Sequence, residues 1–178
     1  MTAAGLRRAA GDEATLLARL HCRAWRETYR GMLPDAMVDG LGLTEAEAKW
    51  RERLAPASGH SVFVAETAAG DAVGFASGCA SNEDAAPNAG LLETLYLVKA
   101  GQGSGLGRRL LATVADDLAA QGFDEMIVVV HADNPAAKFY AAMGAAELCR
   151  RERAFRGHLC PEILWRWPLP LQPAKAPV

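Results

Sequence analysis

Between residues 97 and 111 the sequence reads LVKAGQGSGLGRRLL. Gly101, Gly103, Gly105 and Gly107 fall within seven residues, between an apolar run and a leucine-rich run that carries arginines. Glycines this dense cost backbone entropy and yield a chain able to turn through positive φ and lie close to a ligand. A loop that opens a helix aims free N–H groups and the positive end of the helix dipole at one place, so an anionic ligand is expected. Two familiar phosphate loops do not fit. The dinucleotide pattern GxGxxG fails because Leu106 and Leu110 stand where a glycine is required, and the Walker pattern fails for want of GK[ST].

The flanking segments set the fold class. GLLETLYLV reads as a strand, GLGRRLLATVADDLAAQG as a helix closed by Gly122, and EMIVVVH as a strand buried on both faces. Together they form a right-handed parallel crossover with the glycine loop at the C-terminal end of its first strand. Upstream, a short strand near Leu6 to Ala9 precedes a helix capped by Asp12, with Leu16, Leu17, Leu20, Trp25 and Tyr29 on its apolar face and Gly31 at its end. One or two short helices follow, Thr44 and Glu47 forming a capping box, and then SVFVAET and AVGFASGCA make an antiparallel hairpin. Downstream, NPAAKFYAAMG is a helix ended by Gly144, and two strands flank Gly157. The expectation is α/β: one domain over residues 1–168 in the order βααββ-βαβαββ, with a mixed central sheet of six or seven strands and helices on both faces. The Pro-rich residues 169–178 are expected to be a disordered tail.

Of 178 residues, 51% are hydrophobic and 22% charged, which suits one domain with a real core, and the net charge of −2 offers no global field for nucleic acid or a membrane. The N-terminal stretch lacks the apolar core of a signal peptide, so the cytoplasm is the expected compartment. Cys22, Cys79, Cys149 and Cys160 are scattered without a CxxC pair, as reduced thiols would be, and no metal site is expected.

The pattern that does fit the loop is QxxGxG, formed by Gln102, Gly105 and Gly107. Gln102-Gly103-Ser104-Gly105-Leu106-Gly107, following LYLV, resembles the [QR]GxGxG pyrophosphate loop of the GNAT superfamily of acyl-CoA-dependent N-acyltransferases. A second segment agrees: Asn134, Phe139, Tyr140 and Gly144 resemble that family's later helix, although Tyr140 follows Asn134 by six residues where many members have seven. AWRETYRGMLP also resembles the first-helix segment of a bacterial branch that includes polyamine acetyltransferases. The resemblance spans about residues 5–168.

The resemblance implies acetyl-CoA as cofactor, its pyrophosphate on the N–H groups of Gly103, Ser104, Gly105, Leu106, Gly107 and Arg108. Arg108 or Arg109 either reaches a phosphate or stays solvated. The pantetheine arm would lie in a gap between the fourth and fifth strands, bonded by main-chain groups near Leu95 and Leu97. Asn134 either binds pantetheine or caps the helix it opens. A main-chain N–H near Leu97 would stabilise the oxyanion, and Tyr140 would protonate the leaving thiolate, unless it only plugs the groove. Glu93 is the candidate base, with His131 the runner-up; strand alternation puts Glu93 on the face of Leu95 and Leu97. Trp25 and Tyr29 either line the acceptor site or belong to the core, and Asp35 and Asp39 either attract a cationic amine or are solvated.

The function expected is acetylation of a small primary amine, polyamine-like or an antibiotic, by direct attack in a ternary complex. Acetylation of protein N-termini and a non-catalytic acyl-CoA-binding module are the alternatives. A homodimer is expected, because the two C-terminal strands end the sheet and Ile163, Trp165 and Trp167 alternate on the second as an edge-strand apolar face that needs a cover; Trp167 either meets a second copy or packs inside the domain.

Overall fold

The computed structural model describes residues 5–171. In chain order the elements are β1 (Gly5–Arg8), α1 (Ala14–Tyr29), α2 (Asp35–Asp39), α3 (Leu43–Leu54), β2 (Ser61–Glu66), β3 (Ala72–Ala80), β4 (Gly90–Leu97), α4 (Leu106–Ala120), β5 (Glu125–His131), α5 (Ala136–Ala142), β6 (Ala146–Phe155) and β7 (His158–Pro168). A single 3₁₀ turn, Lys99–Gly101, joins β4 to the glycine loop. The strands form one seven-stranded sheet in the order β1-β2-β3-β4-β5-β7-β6, antiparallel except where β4 meets β5.

Side chains explain how the helices dock. Phe75 of β3 is fully buried and meets Trp50 of α3 and His21 of α1 edge-on. On the other face, Gly78 and Gly90 have no side chain where Val114 and Leu118 of α4 press in; a Cβ there would lie 2.7 and 2.8 Å from them. α4 therefore sits unusually close to the strands that carry the site.

The parallel pair holds only at Gly90↔Met126 and Leu91↔Ile127. Beyond it β4 and β5 diverge, and β5 pairs along its whole length with β7 instead. A β-bulge shapes β4 just past that point: Ser77 pairs with Thr94 and Gly78 with Leu92, leaving Glu93 unmatched.

Several local expectations are corrected. Asp12 does not cap α1; Glu13 precedes the helix, and its carboxylate accepts from the Ala10 amide and the Arg7 guanidinium. Thr44 lies inside α3, behind Gly42 at its start, and Glu47 pairs with Arg51. Leu16 is exposed. β7 is not the end of the sheet, since β6 lies outside it, and its apolar side chains turn inward. Ile163 and Trp167 are buried, with the Trp167 indole donating to the Met143 carbonyl just past α5. The turn between β6 and β7 is made by Arg156 and Gly157, both at positive φ. The Leu169 amide bonds to the Asp124 carbonyl, and Leu169 and Leu171 pack on the core; residues 172–178 of the expected tail lie outside the described residues.

Candidate active site

The divergence of β4 and β5 opens a cavity of about 640 Å³. β4 supplies Glu93, Thr94, Leu95, Tyr96 and Leu97, and β5 supplies Val128 to Val130. α1 supplies Tyr29, the loop supplies Gln102, Gly103, Gly105, Gly107 and Arg108, and the α5 segment supplies Asn134 and Tyr140. Ser104 and Leu106 belong to the loop without lining the cavity, Leu106 being a buried anchor in the core.

The loop glycines divide into two kinds. Gly101 and Gly107 are packing glycines, the first against Val73 and the second against Leu97; Gly103 and Gly105 stand at φ +72 and +81, where side-chained residues are strained. That geometry leaves a run of free donors: among the described residues, none of the amides from Gly103 to Arg108 has an acceptor, and the first helical bond here runs from the Arg109 amide to the Gly105 carbonyl. The loop is braced from beneath. The Gln102 side chain donates to the Leu97 carbonyl at 3.0 Å, and the Ser104 hydroxyl to the Gly101 carbonyl at 2.6 Å. Unpaired amides at the start of a fifteen-residue helix form a cradle for an anion at the mouth of the cavity.

Deeper in, the site is phenolic. Tyr29 and Tyr96 share a hydrogen bond, and the Asn134 amide donates to the Tyr29 hydroxyl at 3.4 Å. Asn134 also accepts from the Ala136 amide at 2.9 Å, so it caps α5 and faces the cavity at once. Tyr140 is buried, edge-on to Trp167, and its hydroxyl bonds to no other described residue. Burial pushes all three phenols above their ordinary range, for Tyr29 against the pull of its Tyr96 and Asn134 bonds, so they keep their protons.

Glu93 departs from its expected setting. The bulge turns it away from the side of Leu97, which packs on Gly107 at the start of α4, and toward α3. There the Arg53 guanidinium donates to one oxygen at 2.6 Å, and the Ser77 hydroxyl, which also bonds Thr94, donates to the other at 3.0 Å. His60 Nε2 lies 3.6 Å from the same carboxylate. His60, Cys79 and Glu93 are close enough to share a metal ion. Burial, helped by Glu93, holds the Cys79 thiol up at about 11, and Arg53 already occupies the carboxylate, so the group as it stands is an ion pair. All four cysteines are free.

Other expected residues lie elsewhere. His131 is not in the cavity lining; its Nδ1 accepts from the Asp133 amide and holds the turn after β5. Asp35 and Asp39 are both engaged by Arg30 on the surface, so neither awaits a cationic amine. Trp25 stacks on Tyr29 at 4.3 Å but faces a second, smaller cavity. Tyr96, Arg53 and Ser77 were missed in the sequence. Tyr96 sits inside the LYLV run and could have been found there; the other two are brought in by α3 and by the bulge.

The fold and site, a splayed parallel strand pair with an anion cradle at the following helix, define a class of acyl-transfer enzymes. A family model for the acetyltransferase (GNAT) family matches residues 19–145, and the chain belongs to that family and is an acyltransferase. The chain is 33% identical over 152 residues to the uncharacterized N-acetyltransferase YuaI of Bacillus subtilis (strain 168), a match covering 85% of this chain and 86% of that protein. Among solved structures it is similar to a GCN5-related N-acetyltransferase from Rhodopseudomonas palustris, with a TM-score of 0.74, 22% identity and 95% and 98% of the two chains covered. It is also similar to the PaiA N-acetyltransferase from Thermoplasma acidophilum, solved with coenzyme A, with a TM-score of 0.72, 14% identity and 94% and 99% covered. No helix among the described residues is long and apolar enough to cross a membrane.

Proposed function

We propose that the protein transfers the acetyl group of acetyl-CoA to a primary amine of a small molecule by direct attack in a ternary complex. The observation that carries this reading is the run of unpaired amides from Gly103 to Arg108 at the mouth of a gap between diverging strands. The pyrophosphate sits on those amides. The pantetheine arm runs along β4 past Leu97 and Leu95 with Asn134 on its other side, and the thioester ends near Thr94 and Tyr96. Attack of the amine gives a tetrahedral oxyanion held by a β4 amide; its collapse breaks the C–S bond as Tyr140 gives the departing sulfur a proton, and the phenolate regains one from the amide nitrogen, which carries one proton too many. Glu93 receives the proton from the incoming ammonium through water. The reaction belongs to the cytoplasm, where the four thiols stay reduced.

The homodimer expected from β7 loses that support, since α5 and the segment after it cover the face. Pairing of two copies falls instead to the outer strand β6 and the exposed Phe155 and Leu159 of the hairpin. Light scattering at tens of micromolar checks this: twice the chain mass, lost on Leu159→Arg, supports it, and a constant monomer excludes it.

A screen of amines with acetyl-CoA, reading free thiol, tests the main proposal. Turnover of small primary amines is expected. A preference for peptide α-amines would support N-terminal acetylation instead, and binding of acetyl-CoA without any turnover would leave a non-catalytic module.

A further inference from the structure

An alkylammonium must lose a proton before its nitrogen can attack, and that proton must leave the site before the next turnover. Glu93 lines the large cavity, with Arg53 of α3 donating to its Oε1 at 2.6 Å and the Ser77 hydroxyl to its Oε2 at 3.0 Å. Carboxylates ordinarily titrate well below neutral pH, so they pass a proton on rather than keep it. Imidazole is the side chain that ordinarily titrates near neutrality, where a proton acceptor works best. One imidazole stands beside Glu93: His60 Nε2 lies 3.6 Å from Oε2.

The segment between α3 and β2 holds that ring in place. The Ser58 hydroxyl donates to the Arg53 carbonyl at 2.6 Å and accepts from the His60 amide at 3.1 Å, while the Ser58 carbonyl lies 3.0 Å from His60 Nδ1. A carbonyl can only accept. That contact therefore puts the proton of the neutral ring on Nδ1 and leaves the Nε2 lone pair on the side of Glu93.

Nε2 is also within reach of water. It bonds to no other described residue, and the His60 side chain keeps 22% of its surface exposed. The unpaired polar atoms that are sealed off lie elsewhere among the described residues, on His21, Trp25, Trp50, Arg151 and Trp165. With the ring neutral and Glu93 ionised, two acceptors face one another across 3.6 Å. That is too far for a direct hydrogen bond, but one water about 2.8 Å from each can touch both. Of the other groups against the pair, Arg53 is committed to Oε1, and Cys79 of β3 keeps its proton, its thiol pushed up to about 11 by burial and by Glu93.

We propose that His60 is the proton outlet of the transfer site, taking the ammonium proton from Glu93 and giving it up to solvent. The inference rests on the acetyl-transfer reading above. An N–H bond of the ammonium breaks, and its proton passes through water to Glu93 Oε2, which frees the nitrogen lone pair for attack. Water then carries the proton to Nε2, the ring becomes imidazolium, and the partly exposed ring releases it to buffer. Glu93 is a carboxylate again for the next turnover. His60 touches neither acetyl-CoA nor the acceptor; it acts through Glu93.

Turnover of acetyl-CoA with primary amines is measured first in the wild type, and none with any amine sinks the acetyl-transfer reading and this inference with it. With turnover in hand, His60→Gln should lower the amine kcat/KM about 10²-fold near pH 7 and leave the acetyl-CoA KM unchanged. The deficit should shrink as pH rises toward the amine's own value, about 10, where free amine needs no base. It should shrink again in acid, where a protonated ring accepts nothing. Added imidazole should restore much of the rate lost in His60→Ala. A deficit equal at every pH and unrescued by imidazole, or full activity in both variants, overturns the proposal while acetyl transfer stands. Nitrogen NMR of the ring reads the geometry without turnover: a protonated Nδ1 and a bare Nε2 are expected in the neutral ring, and the opposite tautomer overturns the proposal.

Discussion

His21 makes the fold sensitive to acid. Its ring is enclosed by Trp50, Phe75 and Tyr96, and burial, assisted by Arg53 and Lys49 and opposed by Glu93, lowers its pKa to about 4. In the unfolded chain the imidazole has its ordinary value near ~6.5. Between those values the unfolded chain binds a proton that the native state refuses. Stability is therefore untouched above about pH 6.5, falls as pH drops toward 4, and levels off below that. The gap corresponds to roughly 3 kcal/mol at its limit and about 2.5 kcal/mol at pH 4.5. Urea unfolding of the wild type and His21→Phe at pH 7 and 4.5 isolates the contribution, since phenylalanine does not titrate and carboxylates common to both chains cancel. The wild type should lose about 2.5 kcal/mol more than the variant, seen as a fall in midpoint at unchanged slope. Parallel losses in the two chains would refute the claim that His21 is held neutral by its enclosure.

Tyr140→Phe removes only a hydroxyl and should lower kcat about 10²-fold with the acetyl-CoA KM nearly unchanged; an unaltered kcat, where chemistry limits the rate, would reduce the residue to packing. Gly78→Ala places a Cβ 2.7 Å from Val114 and should destabilise by about 1–3 kcal/mol in urea unfolding. A neutral result would mean that α4 does not approach β3 so closely.

How legible the molecule was differs with the range of the cause. Strand and helix order follow local periodicity and glycine stops, and Gly122, Gly144 and Gly157 do end their elements, each at positive φ. Helix starts read less well, because Asp12 and Thr44 have the right chemistry but the chain turns elsewhere, Glu13 being drawn off by Arg7 and by an amide. The bulge at Glu93 leaves no local mark, as it depends on register with Ser77 and Gly78 across the hairpin, and it reverses which face the carboxylate joins. The cover of β7 is open in the sequence for a related reason: alternation shows that Ile163, Trp165 and Trp167 share a side, not whether a second copy or the domain's own interior lies against it. The loop was the most legible part of the site, yet only two of its four glycines owe their place to positive φ.

The central claim is that the amides of the glycine loop hold the pyrophosphate of acetyl-CoA. Calorimetric titration of acetyl-CoA into the wild type, Gly105→Ala and Gly105→Glu tests it most directly, with circular dichroism to verify that each chain is folded. One site per chain is expected in the wild type, with weakened binding in Gly105→Ala, where φ +81 strains any side chain, and none in Gly105→Glu, where a carboxylate also opposes the phosphates. A folded Gly105→Glu that binds acetyl-CoA as tightly as the wild type would contradict it.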